Sequence, residues 1–130
     1  MDERIIKKTD AGSMSAAKLA YLGDAVLEVL VRHRVIERGG EHPSEAALAY
    51  VTASAQSDAL ERILPLLSEE ESDVFKRGRN CGHGGVPKKA TVAQYRRATG
   101  FEALFGYLYL LGDTKRIEEL FLTAYPETQA

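Results

Sequence analysis

The sequence predicts an all-α helical bundle forming a single domain. Three observations carry this: long runs of helix formers punctuated by Gly and Pro, two Ser/Thr-x-x-Glu/Gln capping boxes, and no alternation of the period a half-buried strand needs. With 130 residues, 45% of them hydrophobic, the chain has the length of one domain and enough apolar surface for a core without covalent staples.

Residues 1–14 read as an N-terminal tail, 15–125 as the folded domain and 126–130 as a C-terminal tail. "MDERIIKKTD" mixes acids with bases and no apolar stretch follows, so it is not read as a secretion signal. Helix formers are dense from Ser15 to Arg38, and Gly39-Gly40 stops them. Pro43-Ser44 restarts the chain, with Ser44 as the expected N-cap of a helix through Arg62, and Pro65 breaks it. Ser68 and Glu71 form a capping box that opens a short helix ending at Gly78. Thr91 and Gln94 form a second box, opening a long helix to Leu111. Gly112 ends that helix, and Asp113 or Thr114 caps a last one closed by Pro126.

No apolar run approaches the roughly 18 residues of a membrane span, so no membrane partner is expected. The single cysteine, Cys81, cannot form an intrachain disulfide, which fits a cytoplasmic location. The net charge of −2 is uninformative, but its distribution is not. Between Val74 and Arg97 lie seven bases, Lys76, Arg77, Arg79, Lys88, Lys89, Arg96 and Arg97, and not one Asp or Glu. Such a window on an otherwise acidic chain is the footprint of an anionic partner or, more plainly, a solvated basic face. Within it, "GRNCGHGGVPKK" places four glycines in the eight residues from Gly78 to Gly85, a loop expected to be mobile and able to close on a ligand. Cys81 and His83 are too few for a zinc site, and no partner pair appears elsewhere.

Two acids stand in apolar helices. "YLGDAVLEVLV" carries Asp24 in a helix apolar on most sides and therefore expected at the centre of the bundle. At 100° per residue, Ala17, Ala20, Tyr21, Glu28 and Val31 share its face, and the two alanines leave room beside the carboxylate. "GFEALFGYLYLLG" carries Glu102, with Gly106 one turn on. A mid-helix glycine costs about 1 kcal/mol against alanine, so close approach of another helix is expected there. A carboxylate in apolar surroundings needs an Arg partner, water at the bundle edge, or a metal. Two carboxylates converging from facing helices, beside a basic segment, would make an oxygen-only site suited to Mg²⁺ and to phosphodiester chemistry. Gln56, in "TASAQSDAL", reads as a helix-surface residue or an RNA contact.

Together, "LAYLGDAVLEVLV", "FKRGRN", the Gly-rich loop, "PK" and "YRRATGFEAL" resemble the ribonuclease III family, and in particular its short mini-ribonuclease III branch. The resemblance spans about residues 15–122. It implies an all-α, ribonuclease III-like helical bundle that is homodimeric and cuts double-stranded RNA with Mg²⁺. Asp24 and Glu102 match the family's catalytic, metal-binding positions. Two further family acids are replaced, by Ala20 and Thr99, which implies more water ligands and weaker Mg²⁺ binding. The sequence continues only five residues past Tyr125, so the separate RNA-binding domain of longer members is not expected. Lys76, Arg77, Arg79, Asn80, Lys88, Lys89, Arg96 and Arg97 are therefore expected to grip the RNA. The branch's implied task is maturation of the 23S ribosomal RNA precursor.

The homodimer would bury part of the surface offered by Phe101, Phe105, Tyr107, Leu108 and Tyr109, together with Val26, Leu27, Val29 and Leu30. Two other readings compete. A non-catalytic double-stranded RNA-binding module of the same fold would bind duplexes without cutting them. A plain helical interaction protein would have no RNA affinity at all.

Overall fold

The computed structural model describes residues 8–81 and 90–127. Every regular element among them is helical: α1 (Lys8–Ser13), α2 (Ala16–Arg38), α3 (Pro43–Val51), α4 (Ala53–Ile63), α5 (Glu69–Asn80), α6 (Val92–Leu111) and α7 (Thr114–Ala124), with a 3-10 turn, Leu64–Leu66, after α4. Within the expected N-terminal tail, α1 docks through Ala11, which is fully buried. Among the described residues no helix is long and apolar enough to cross a membrane.

The helix at the centre is α6, not α2 as expected. α6 packs against α1, α2, α4, α5 and α7, and from Ala98 to Leu108 every residue is buried except the half-buried Glu102. α2 spends its apolar residues on two faces. Leu19, Leu27, Val31 and Val35 enter the core, while Val29 and Ile36 face outward. The apolar count of a helix thus overstates its centrality when the apolar residues do not share one stripe.

Local chemistry explains most helix ends. Ser15 caps α2 by accepting from the Lys18 N–H at 3.2 Å. Both expected capping boxes form, Ser68 with Glu71 on α5 and Thr91 with Gln94 on α6. Gly112 ends α6 at φ 72°, the left-handed geometry glycine adopts without penalty, and Asp113 caps α7. The single helix expected from Ser44 to Arg62 is instead two, and the first begins at Pro43 with His42 in the N-cap position. Thr52 interrupts it: its backbone is extended (ψ 155°) and its hydroxyl accepts from the Ala55 N–H at 3.1 Å, a local bond that competes with helix continuation. α5 runs through Gly78 to Asn80, because Gly78 is buried against Gly100 and Ala103 of α6 rather than exposed as a stop.

Two arginine-centred clusters fasten the ends. Glu71, the box residue of α5, receives both arms of Arg116 from α7, Nη2 to Oε1 at 2.8 Å and Nε to Oε2 at 2.9 Å, while Arg116 also donates to the Leu66 carbonyl. Burial alone would raise the Glu71 pKa, but the guanidinium and the Ser68 N–H outweigh it and leave it lowered. Arg34 of α2 is buried, lies 4.8 Å from the Phe121 ring centroid and donates to the Tyr125 carbonyl, anchoring the chain after α7.

Candidate active site

The site lies where α2 and α6 cross. Both helices present glycine there: a Cβ on Gly23 would stand 1.6 Å from the Glu102 carbonyl oxygen, and one on Gly106 2.0 Å from that of Leu19. The backbones therefore touch beside the two acids, since Gly23 precedes Asp24 and the carbonyl it meets is that of Glu102. This contact brings the carboxyl groups together: Asp24 and Glu102 are within hydrogen-bonding reach of each other, Asp24 exposed at the mouth and Glu102 recessed. The close approach expected at Gly106 is present, and its counterpart is Gly23.

Recession is the main reason Glu102 holds its proton, with its pKa pushed up to about 8. The charge of Asp24 and the hydrogen bond to it add to the shift. The Gln56 amide, within hydrogen-bonding reach, opposes it by favouring the charged form. This has a consequence for stability. An unfolded Glu102 would titrate near its ordinary 4.5, so between about 4.5 and 8 the folded state holds a proton that the unfolded chain has lost. The contribution to stability is therefore full below the unfolded pKa and is lost as pH rises through 8. In chelator-treated protein, the thermal midpoint should fall between pH 5 and 8.5 more steeply than in Glu102→Gln. Parallel profiles for the two proteins would contradict the assignment.

Sequence reasoning placed Gln56 on the helix surface, whereas it is only 3% exposed. On α4 it shares the buried stripe of Ala59, Leu60 and Ile63, spaced i, i+3, i+4, i+7. That spacing was the available signal, a polar residue in phase with the apolar face. The positions where acids were expected but absent contribute no oxygen to the pair. Ala20 has none to give, and the buried Thr99 donates its hydroxyl to the Tyr95 carbonyl one turn back on α6 (3.0 Å). Among the described residues no cluster of three or more His, Cys, Asp or Glu occurs that could hold a metal. The donors at hand are two carboxylates, all oxygen, which suits a hard cation that keeps several waters.

The basic residues divide. Lys76 and Arg96 are exposed, as is Asn80. Arg79 is half-buried, 5.5 Å from the Phe75 ring centroid, with its Nε donating to Asn80 Oδ1 at 3.1 Å. Arg77 donates to the carbonyls of Gly12 and Met14, and so fixes the α1–α2 junction. Arg97 donates to Ser57 Oγ at 2.9 Å and pairs with Glu61, tying α6 to α4. Lys88 and Lys89, with most of the Gly-rich loop including His83, lie outside the described residues. The Lys76–Asn80 end of α5 crosses α6 at Gly100, two residues before Glu102.

A helical bundle with paired carboxylates next to a basic helix end fits a nuclease domain. The Ribonuclease III domain profile matches residues 17–113. The chain is 49% identical over 109 residues to Mini-ribonuclease 3 of Symbiobacterium thermophilum, covering 82% of this chain and 84% of that protein. It is 46% identical over 110 residues to the Brevibacillus brevis Mini-ribonuclease 3, with 82% of each covered. A crystal structure of protein FN1578 from Fusobacterium nucleatum superposes with a TM-score of 0.81 at 31% identity, covering 88% of this chain and 96% of that one. The chain belongs to the ribonuclease III family, in its mini-ribonuclease III branch, and is an endoribonuclease.

Proposed function

We propose that the protein is a Mg²⁺-dependent, cytoplasmic, homodimeric endoribonuclease that cleaves double-stranded RNA, with the 23S ribosomal RNA precursor as its substrate. The observation that carries the reading is the convergence of Asp24 and Glu102, two carboxyl groups within hydrogen-bonding reach of each other beside a close backbone contact of α2 and α6 at Gly23 and Gly106. Held that close, they are not both ionised at neutral pH unless a cation offsets their charge. Asp24 and Glu102 would hold Mg²⁺. When bound, it polarises the scissile phosphodiester and makes water a nucleophile at neutral pH. Asp24, at the mouth, meets the incoming group first. Glu102 must give up its proton, so binding is favoured by rising pH. Lys76, Arg79 and Arg96 would meet backbone phosphates in a salt-sensitive and largely sequence-blind grip, a reading supported by the exposure of Lys76 and Arg96. An A-form duplex offers shape and 2′-hydroxyls more than base edges, which suits such a surface. The ribosomal precursor is supported by the resemblance to the mini branch alone.

The homodimer draws support from α2, although the candidate interface is smaller than the sequence suggested. Phe101, Phe105, Tyr107, Leu108 and Leu27 are buried in the core of the single chain. What remains is a stripe of Val29, His33 and Ile36, with Val29 67% and Ile36 70% exposed, extended by the half-buried Leu22 and Val26 that also pack on the core, a 4–3–4–3 spacing that suits helix against helix. Tyr21 and Tyr109 are exposed as well. A twofold axis would pair this stripe with its own copy. Sedimentation equilibrium at micromolar concentration should give a dimer, and a monomer would remove this part of the proposal.

The deciding experiment is incubation of an end-labelled RNA duplex, and of its single strands, with the purified protein in Mg²⁺ or chelator. Cutting of the duplex in Mg²⁺ alone is expected. Cutting that persists in chelator, or that prefers single strands, would overturn the reading.

A further inference from the structure

Gln56 approaches the acids from inside the protein. Asp24 is exposed and Glu102 half-buried, whereas Gln56 lies beneath them on α4. Its side-chain amide is within hydrogen-bonding reach of the Glu102 carboxyl group. A buried amide costs stability unless it is bonded, and an aliphatic side chain would fill the same space on the Ala59–Leu60–Ile63 stripe without that cost. The neighbouring residue holds α4 in place: Ser57 accepts from Arg97 of α6 through both its hydroxyl, at 2.9 Å, and its carbonyl, at 3.3 Å. Glu61, one turn on, pairs with the same guanidinium. α4 is thus tied to α6 immediately next to the residue that reaches Glu102. On α6 itself nothing substitutes for that donor at Thr99, whose hydroxyl is turned to Tyr95.

We propose that Gln56 is a positioning residue for Glu102: its buried amide holds the carboxylate from behind, so that the remaining lone pairs face Asp24 and a divalent cation. Being neutral, it orients the carboxylate and stabilises its charged form without adding a third negative charge. Partners that orient a metal ligand commonly govern affinity almost as strongly as the ligand itself. With only two carboxylates at the crossing, orientation of each matters more than in a site with four.

The proposal rests on Asp24 and Glu102 being the Mg²⁺ pair, and its test separates the two ideas. Mg²⁺ is titrated calorimetrically into full-length wild type, Gln56→Met and Glu102→Gln without RNA, and kcat and KM for a duplex are then measured across Mg²⁺ concentrations. Glu102→Gln should lose Mg²⁺ binding. Gln56→Met should bind Mg²⁺ about tenfold or more weakly. Its kcat at low Mg²⁺ should fall in step and recover at high Mg²⁺, with KM for RNA unchanged. A merely structural Gln56 would lower thermal stability without that Mg²⁺-dependent recovery. Wild-type Mg²⁺ affinity in Gln56→Met, beside lost binding in Glu102→Gln, overturns the positioning role and leaves the metal pair intact. Unaltered binding in Glu102→Gln, or none in wild type, overturns both. Should Gln56→Met fail to fold, the ¹⁵N side-chain amide signal of Gln56 in wild type decides: it should shift as Mg²⁺ saturates the site, and an unmoved signal defeats the proposal.

Discussion

Asp24→Asn and Glu102→Gln should each lower the rate of duplex RNA cleavage in Mg²⁺ by about a thousandfold or more. Each substitution keeps the shape of the side chain and removes one of the two negative charges that could hold the cation. A metal acting on a phosphodiester supplies several kcal/mol of transition-state stabilisation. Losing about 4 kcal/mol of it corresponds to roughly three orders of magnitude in rate. The fold should survive. Asp24 is exposed, and at position 102 a glutamine amide oxygen can still accept from Gln56. Affinity for uncut duplex should be equal or slightly greater, because a negative charge facing phosphate has been removed. Parallel gel-shift and cleavage assays make the check. Near-wild-type cleavage by either variant would exclude that carboxylate from the chemistry. Loss of cleavage together with loss of RNA binding and of cooperative melting would point to misfolding instead.

Gly23→Ala should be the most damaging Gly→Ala change among the described residues. The added carbon would sit 1.6 Å from a backbone oxygen of Glu102, and no rotamer change relieves a clash with backbone. α2 and α6 must separate, which places the cost at or beyond the upper end of the usual 1–3 kcal/mol for overpacking, about 3 kcal/mol. For a domain of this size that corresponds to roughly a 10 °C fall in thermal midpoint. Gly106→Ala, at 2.0 Å from the Leu19 carbonyl oxygen, should behave similarly. Any folded fraction should cleave at least about a hundredfold more slowly, since a displacement near 1 Å of reacting groups has that effect. Gly12→Ala is the control: nothing lies within 4 Å of the added carbon, and stability should change by no more than about 0.5 kcal/mol. Thermal melts that leave Gly23→Ala level with Gly12→Ala would refute the crossing as the element that sets the site.

Both variants probe features of differing legibility. The acids were visible as charges out of place in apolar helices, and Gly106 as a helix weakener that needed a reason. The capping boxes at Ser68 and Thr91 were legible because they are local: side chain and backbone partner lie three residues apart. The break at Thr52 was local too, but a threonine hydroxyl bonds equally well to a helix carbonyl or to an N-terminal N–H, so the sequence leaves the choice open. Missing that break joined α3 to α4, but it left intact the spacing of Gln56 with Ala59, Leu60 and Ile63 that marks the buried face. Arg77 and Arg97 read as part of a uniform basic window. Their carbonyl, hydroxyl and carboxylate partners lie far along the chain, between 36 and 65 residues away.

By itself the sequence determined the helical class, the caps, the two acids and the family, because each depends on spacing within a few turns or on motifs read directly as strings. Tertiary structure alone decided which helix became the hub, which aromatic residues entered the core rather than staying available to a second copy, and which bases remained exposed. It also decided that Gln56 meets Glu102. These depend on long-range packing, where a backbone contact between two glycines on different helices selects one crossing, and local propensity carries no information about the partner.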